Sequence, residues 1–249
     1  MDKFFKNKTV LITGHTGFKG SWLSLVLLRF GAKVVGVSND LNKNSLFQFI
    51  DKDQIISIKE DVRNLDSLKK IFKDHKPQIV FHLAAQAIVS EGYEDPITTF
   101  TTNIVGSLNI AECIRFSEGI ESTIMITSDK CYKNQEWQWG YRENDILGGL
   151  DPYSSSKASA EIVLYSFYRS FKDDIDGLFC TTRAGNVVGG GDFSHGRLIP
   201  DIIRSIESKK SMELRNPKAT RPWQHVLEPI SGYLKLATQS ASMGNSFPD

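Results

Sequence analysis

Residues 8–13 (KTVLIT) are a β-branched run that ends against Gly14-His15-Thr16-Gly17-Phe18-Lys19-Gly20. Apolar positions then recur at helical spacing over 21–30 and stop at Gly31. The same alternation continues along the chain. Apolar runs at 32–38, 55–59, 78–83, 121–127 and 177–183 predict five further strands. Helical patterns predict helices at 45–51, 64–75, 96–116 and from Asp151-Pro152 to about 171, where the proline suits a first helical turn. Continuous apolar strands alternating with helices predict an α/β fold, a doubly wound parallel sheet covered on both faces and joined by right-handed crossovers.

The texture changes after Arg183. Residues 184–192 (AGNVVGGGD) read as a glycine-rich loop and not as another regular unit. A second region follows, with a helix at 198–208, a short strand near 212–214 and the basic aromatic stretch Arg221-Pro222-Trp223-Gln224-His225. The organisation expected is a dinucleotide-binding Rossmann domain over 1–183 and a smaller substrate-binding region over 184–249. Gly244-Asn245-Ser246-Phe247-Pro248-Asp249 shows no terminal helix or strand, so the second region is expected to be incomplete, as in a truncated chain.

Composition narrows the function. With 40% hydrophobic and 24% charged residues in 249, the chain buries a real core. A net charge of +1 with scattered basic residues predicts neither a nucleic-acid footprint nor a membrane-surface patch. Cys113, Cys131 and Cys180 lack C-x-x-C spacing, and the first residues lack a signal-peptide core, which points to a reducing cytoplasm. Apolar runs such as 79–85 are too short to span a bilayer as a helix.

Gly14, Gly17 and Gly20 follow a strand, open a helix and begin a βαβ unit, the context that makes a glycine turn a pyrophosphate site. Where many such folds carry an acidic ribose ligand, this chain has Ser38-Asn39-Asp40, so NAD is expected and NADP stays open, with Asp40 a candidate substitute. Lys19 either contacts a cofactor phosphate or is a solvated loop lysine. Asp61-Val62 either meets the adenine edge or caps the next helix. Tyr153 and Lys157, four apart near a helix start, share one face, and an ammonium beside a phenol lowers a pKa of about 10. That pair is a candidate acid/base. Ser128-Asp129-Lys130 closes the fifth strand at the carboxyl edge, where ligands sit in open α/β sheets. His15, His75, His82, His195 and His225 show no metal-ligand spacing, and no metal is expected. Arg221, with Trp223 and His225, is either an anion site or a surface ion-pair arginine.

The glycine turn, Leu83-Ala84-Ala85-Gln86, Asn103-Ile104-Val105-Gly106 and the span from Tyr153 to Lys157 resemble the extended short-chain dehydrogenase/reductases that act on nucleotide sugars. Thr127-Ser128-Asp129-Lys130-Cys131-Tyr132, Gly140-Tyr141-Arg142-Glu143, Arg183-Ala184-Gly185-Asn186-Val187 and Arg221-Pro222-Trp223-Gln224-His225 resemble the 4,6-dehydratases among them. Lys130, where the dTDP-sugar branch carries glutamate, points to the cytidine-diphosphate branch.

The resemblance implies a cofactor cradle of Gly14 to Gly20, Ser38, Asp61, Val62, Leu83, Ala84, Ala85, Gln86 and Asn103. It further implies Tyr153 taking a proton from the sugar O4 during C4 oxidation, with Lys157 supporting it and the nicotinamide ribose. Asp129 is then the acid and Lys130 the base or electrostatic helper for loss of water across C5 and C6, and as base Lys130 needs its free pKa of about 10.4 lowered. Ser128 holds O4, while Asn186, Arg197, Arg221 and His225 bind substrate. A homodimer or dimer of dimers is also implied. The alternatives are another dehydratase, a 4-epimerase, or a non-catalytic dinucleotide sensor. Two departures stand out: Ala87-Ile88-Val89-Ser90-Glu91-Gly92-Tyr93 replaces a more basic stretch, and the family continues for roughly another hundred residues.

Overall fold

The computed structural model describes residues 1–41, 44–212, 214 and 217–239. A four-residue helix α1 (Asp2–Phe5) leads into β1 (Thr9–Thr13), which is followed by α2 (Phe18–Arg29), β2 (Lys33–Ser38) and β3 (Ile55–Lys59). Then come α3 (Leu65–His75), β4 (Ile79–His82), α4 (Val89–Glu94), α5 (Pro96–Phe100) and α6 (Gly106–Arg115). The chain proceeds through β5 (Ser122–Ile126), α7 (Pro152–Phe171), β6 (Leu178–Thr182), β7 (Asn186–Val188), α8 (Leu198–Ser208), β8 (Trp223–His225) and α9 (Leu227–Ala237).

Six strands pair in parallel in the order β3-β2-β1-β4-β5-β6. The order reverses between β1 and β4, which opens a crevice at the carboxyl edge of the sheet. Alternation along β1 divides the core: Val10 and Ile12 join Leu23 and Leu27 of α2 and Ile230 and Leu234 of α9 on one face. Leu11 joins Leu68, Ile110 and Leu164 on the other. Helix α9 of the second region therefore shares a core with the glycine-turn helix.

All six predicted strands of the sheet form. Local differences have local causes. The expected helix 96–116 is divided by a π-helical turn, Thr101–Val105, between α5 and α6. Segment 45–51 makes only a 3₁₀ turn, Leu46–Phe49, because Ser45 caps it by accepting from Phe47 N. The loop expected at 184–192 contains β7, which pairs with β8 as a parallel two-stranded ladder. Neither Met212 nor Leu214 lies in a strand, and Glu213 and residues 244–249 lie outside the described residues.

Candidate active site

Strand β1 delivers the chain straight into the glycine turn. Gly14 takes a φ of +73°, and a Cβ there would lie 2.8 Å from the Ala84 backbone nitrogen, so the turn has no room for a side chain. Gly17 caps α2 without a side-chain hydrogen bond, and the first turn, with Phe18, Lys19 and Gly20, holds no acidic residue. The positive end of that helix thus faces the crevice.

Around the turn, side chains fix its shape. Thr16 Oγ1 donates to the Asp40 carbonyl at 2.8 Å and lies 2.7 Å from Ser38 Oγ, so the buried Ser38 hydroxyl is engaged inside the protein. The His15 ring is buried 2.6 Å from Ser57 Oγ, meets Phe47 edge-on and covers Gly36. Burial pulls its pKa down to about 4. Asp61 accepts two bonds from the Arg63 guanidinium, at 3.0 and 2.7 Å, which hold its carboxyl below the ordinary value. Val62 is buried against Gly106.

A buried polar chain ties β1 and β4 to α7. Thr13 Oγ1 lies 2.7 Å from His82 Nδ1, and His82 Nε2 lies 3.0 Å from Ser107 Oγ. Ser107 Oγ donates to the Asn103 carbonyl at 2.7 Å, and Asn103 Nδ2 donates to Ser156 Oγ at 2.8 Å. Asn103 also receives Gln86 N at 2.9 Å, while Ala84 N donates to Thr13 Oγ1. The segment Leu83, Ala84, Ala85 and Gln86 is thereby held beside the glycine turn, with Asn103 in the π-helical turn, a placement frequent at functional sites.

At the end of β5, Ser128 caps the 3₁₀ turn Asp129–Cys131, accepting from Lys130 N at 3.3 Å and donating to Asp129 Oδ1 at 3.1 Å. Helix α7, capped by Asp151 with Pro152 in its first turn, brings Tyr153 to Ser128 and buries Lys157. The expected lowering of the Tyr153 pKa by Lys157 is reversed here. Burial pushes the phenol above its ordinary value, against the opposing effects of a bond with Ser128 and the charge of Arg197. Lys157 Nζ instead turns toward the Ile126 carbonyl at 3.5 Å, and burial lowers it to about 8 against the attraction of Glu161.

Four contributors escaped the sequence reading. Glu161, one turn beyond Lys157 and buried, accepts from Thr127 Oγ1, from Thr181 Oγ1 at 2.9 Å and from Arg183 Nη2 at 2.9 Å. Arg183 also donates to Tyr132 Oη at 2.9 Å and so fixes the segment after Lys130. Tyr233 of α9 accepts from Lys19 Nζ at 3.5 Å. Lys19 is therefore no solvated loop lysine: burial and the charges of Lys157 and Arg197 lower it to about 8, with Asp129 opposing. Asp192 binds Arg197, Nη1 to Oδ2, at 2.9 Å. A signal for each lay in the sequence only as an isolated polar residue.

Lys19 feels the charges of Lys157, Arg197 and Asp129, and Tyr153 those of Arg197 and Asp129, so these groups share one end of the crevice. Asn186 begins β7, its amide bonded to the Pro222 carbonyl, which places it beside Arg221. Arg221 is exposed and donates to the Thr220 carbonyl at 2.6 Å, and His225 is exposed at the end of β8, 6.3 Å edge-on from Trp22. Chemically, the cluster offers a proton-transferring phenol, a hydroxyl, a carboxylate and several cations in one crevice, an arrangement suited to an anionic substrate.

Comparison with known proteins agrees with that chemistry. The family model described as GDP-mannose 4,6 dehydratase matches residues 11–245. A CDP-glucose 4,6-dehydratase of Salmonella typhimurium is 46% identical over 254 residues, covering 99% of this chain and 70% of that protein. Among solved structures, the dTDP-glucose 4,6-dehydratase of Bacillus anthracis in complex with NAD superposes with a TM-score of 0.78 at 22% identity, over 93% of this chain and 72% of the other. The UDP-glucose 4-epimerase of Thermotoga maritima with UDP-glucose gives 0.81 at 23%, over 93% and 73%. Both structures share the fold.

Proposed function

Because the chain belongs to the GDP-mannose 4,6 dehydratase family, we propose that it is an NAD-dependent nucleotide-sugar 4,6-dehydratase, converting CDP-glucose to CDP-4-keto-6-deoxyglucose and water. The observation that carries this reading is the convergence of Tyr153, Lys157, Ser128 and Asp129 at the carboxyl end of β5, beside the glycine turn. The residues present fit a dinucleotide: Gly14 lets the turn pack directly on the Ala84 backbone, and α2 presents a first turn without an acidic residue or a side-chain cap for a pyrophosphate. NAD, when bound, would supply the hydride acceptor for C4 and the hydride donor for C6.

The side chains divide the proton work. Ser128 orients the sugar O4 hydroxyl toward Tyr153, whose phenolate oxygen takes its proton as C4 is oxidised. Arg197 and a bond with Ser128 stabilise the phenolate, which burial disfavours, and Lys157 supports the nicotinamide ribose. With a keto group at C4, the C5 hydrogen is acidic. Lys130 removes it, and Asp129 gives a proton to the departing O6, so one water leaves across C5 and C6. Asn186, Arg197, Arg221 and His225 hold the sugar diphosphate.

We further propose that two copies pair through the outward faces of α5, α6 and α7, where Ile97 and Ile162 are 71% and 56% exposed and Val105 and Tyr165 continue the apolar stripe. A reducing cytoplasm suits the buried, unpaired Cys113, Cys131 and Cys180. Among the described residues no helix is long and apolar enough to cross a membrane.

The test is incubation with CDP-glucose and NAD in deuterated water. The expected result is the alkaline ultraviolet absorbance of a 4-keto-6-deoxy sugar, with one deuteron at C5. Production of CDP-galactose instead identifies an epimerase, and turnover of another nucleotide sugar alone overturns the choice of base or hexose.

A further inference from the structure

The glycine-rich segment between β7 and α8 lies against the cofactor turn. Trp22 Nε1 donates to the Gly190 carbonyl at 2.9 Å. Gly191 is packed so closely on Leu46 that a Cβ would approach it to 2.7 Å. Ser45 forms an antiparallel bridge with Asp192, and Ser45 Oγ donates to the Thr16 carbonyl at 2.5 Å, inside the glycine turn itself. From the other side, Arg204 of α8 donates to the carbonyls of Phe193 at 3.2 Å and Ser194 at 2.9 Å.

Within this clamped segment, Asp192 is the residue whose side chain faces inward. Its carboxylate is 7% exposed, accepts from Ser194 N through Oδ1 at 3.2 Å and binds Arg197 through Oδ2 at 2.9 Å. A carboxylate that shielded is retained only where it is paired. Arg197, 32% exposed, carries the charge that reaches both Tyr153 and Lys19. An arginine on a loop has several rotatable bonds, so a fixed place beside Tyr153 needs a fixed partner.

We infer that Asp192 is a positioning residue for Arg197, holding the guanidinium over the reacting end of the crevice and registering it, through Ser45, to the cofactor turn. The inference rests on the reading above that Arg197 meets the substrate. It makes the substrate cation part of the same rigid unit as the cofactor cradle.

Two readouts test it in the full chain. The first needs no substrate: the ultraviolet titration of Tyr153, taken as the difference from Tyr153→Phe, in wild type, Asp192→Asn and Arg197→Met. Asparagine keeps an acceptor for Ser194 N. If Asp192 holds Arg197 in place, Asp192→Asn moves the phenol upward, as Arg197→Met does. If Arg197 stays without it, losing a nearby negative charge moves the phenol downward, and that outcome overturns the inference. The second is steady-state kinetics with CDP-glucose. Asp192→Asn is expected to raise KM about tenfold, to lower kcat as the phenol that serves as base is pushed up, and to add nothing once Arg197 is Met. A full additional KM increase in the double variant, or a wild-type KM in Asp192→Asn, overturns it. Should Asp192→Asn not fold, Ser45→Ala is expected to move both readouts in the same directions by less, and no change refutes the tie to the turn. Failure of CDP-glucose turnover in the wild type counts against the substrate assignment and leaves the titration to decide the role of Asp192.

Discussion

Acidification is expected to destabilise this protein through two buried imidazoles, His15 and His82, of which His82 is the more strongly lowered. The His82 imidazole is 2% exposed between Thr13 and Ser107, and burial, followed by repulsion from Lys157, lowers its pKa from 6.5 to about 3. The unfolded chain takes up a proton near pH 6.5 that the folded chain refuses until about pH 3. The stability of the neutral ring is therefore complete above 6.5 and lost as pH falls through the window between those values. One pH unit is worth about 1.4 kcal/mol, so moving from pH 7 to pH 5, one and a half units below the unfolded value, costs about 2 kcal/mol from this ring alone. Urea unfolding at the two pH values measures the loss. His82→Gln keeps a hydrogen-bonding side chain and does not titrate. Its stability at pH 7 is expected to be lower, but its loss between pH 7 and pH 5 should be smaller than that of the wild type by about 2 kcal/mol. Carboxylates and His15, common to both proteins, cancel in that difference. Equal losses in the two proteins would refute the share of the acid sensitivity assigned to His82.

Other expectations are as direct. Lys130→Met should retain partial C4 oxidation, seen as reduced dinucleotide absorbance, and lose exchange of the C5 hydrogen with solvent; wild-type exchange rules Lys130 out as the base. Glu161→Gln leaves Arg183 without its buried partner, a change worth about 3 kcal/mol, and should lower the melting temperature by roughly 6–12 °C. Gly14→Ala forces a side chain into positive φ, costing roughly 1–2 kcal/mol, and into the Ala84 backbone, so a fluorescence titration with NADH should show binding largely lost. Ile162→Asp places a charge on the exposed stripe of α7 and should shift the protein toward monomer in sedimentation velocity, with its melting temperature little changed.

The sheet was legible because its strands are short apolar runs cut by glycine and proline, and because the glycine turn joins a strand to a helix within one unit. Features set by distant partners were not. Strand β7 has three residues next to glycines and exists by pairing with β8, far along the chain. Helix α9 is absent from the predicted elements, although Pro229 falls in its first turn, where no amide partner is lost. The π-helical turn at 101–105 inserts within an unbroken helical pattern, and periodicity does not register one widened turn. The helical spacing of Tyr153 and Lys157 was read correctly as one face. What spacing omits is depth: burial raises the phenol and lowers the ammonium, and Lys157 turns inward to a carbonyl. Arg197 came only from the family resemblance, and the carboxylate that holds it stands at the end of a glycine run.

The His15 ring resting over Gly36 has a consequence for how this cradle changes under mutation. A Cβ at position 36 would stand 2.3 Å from the imidazole carbons, so an alanine there evicts the ring and exposes its bond to Ser57. Removing the ring alone leaves a hollow beneath Phe47 that glycine cannot fill. The two positions behave as a lock with one key: each single exchange is penalised, while exchanging both together, a small residue for the histidine and a larger one for the glycine, trades one filled space for another. Any redesign of the adenosine end of this cradle has to start from that pair.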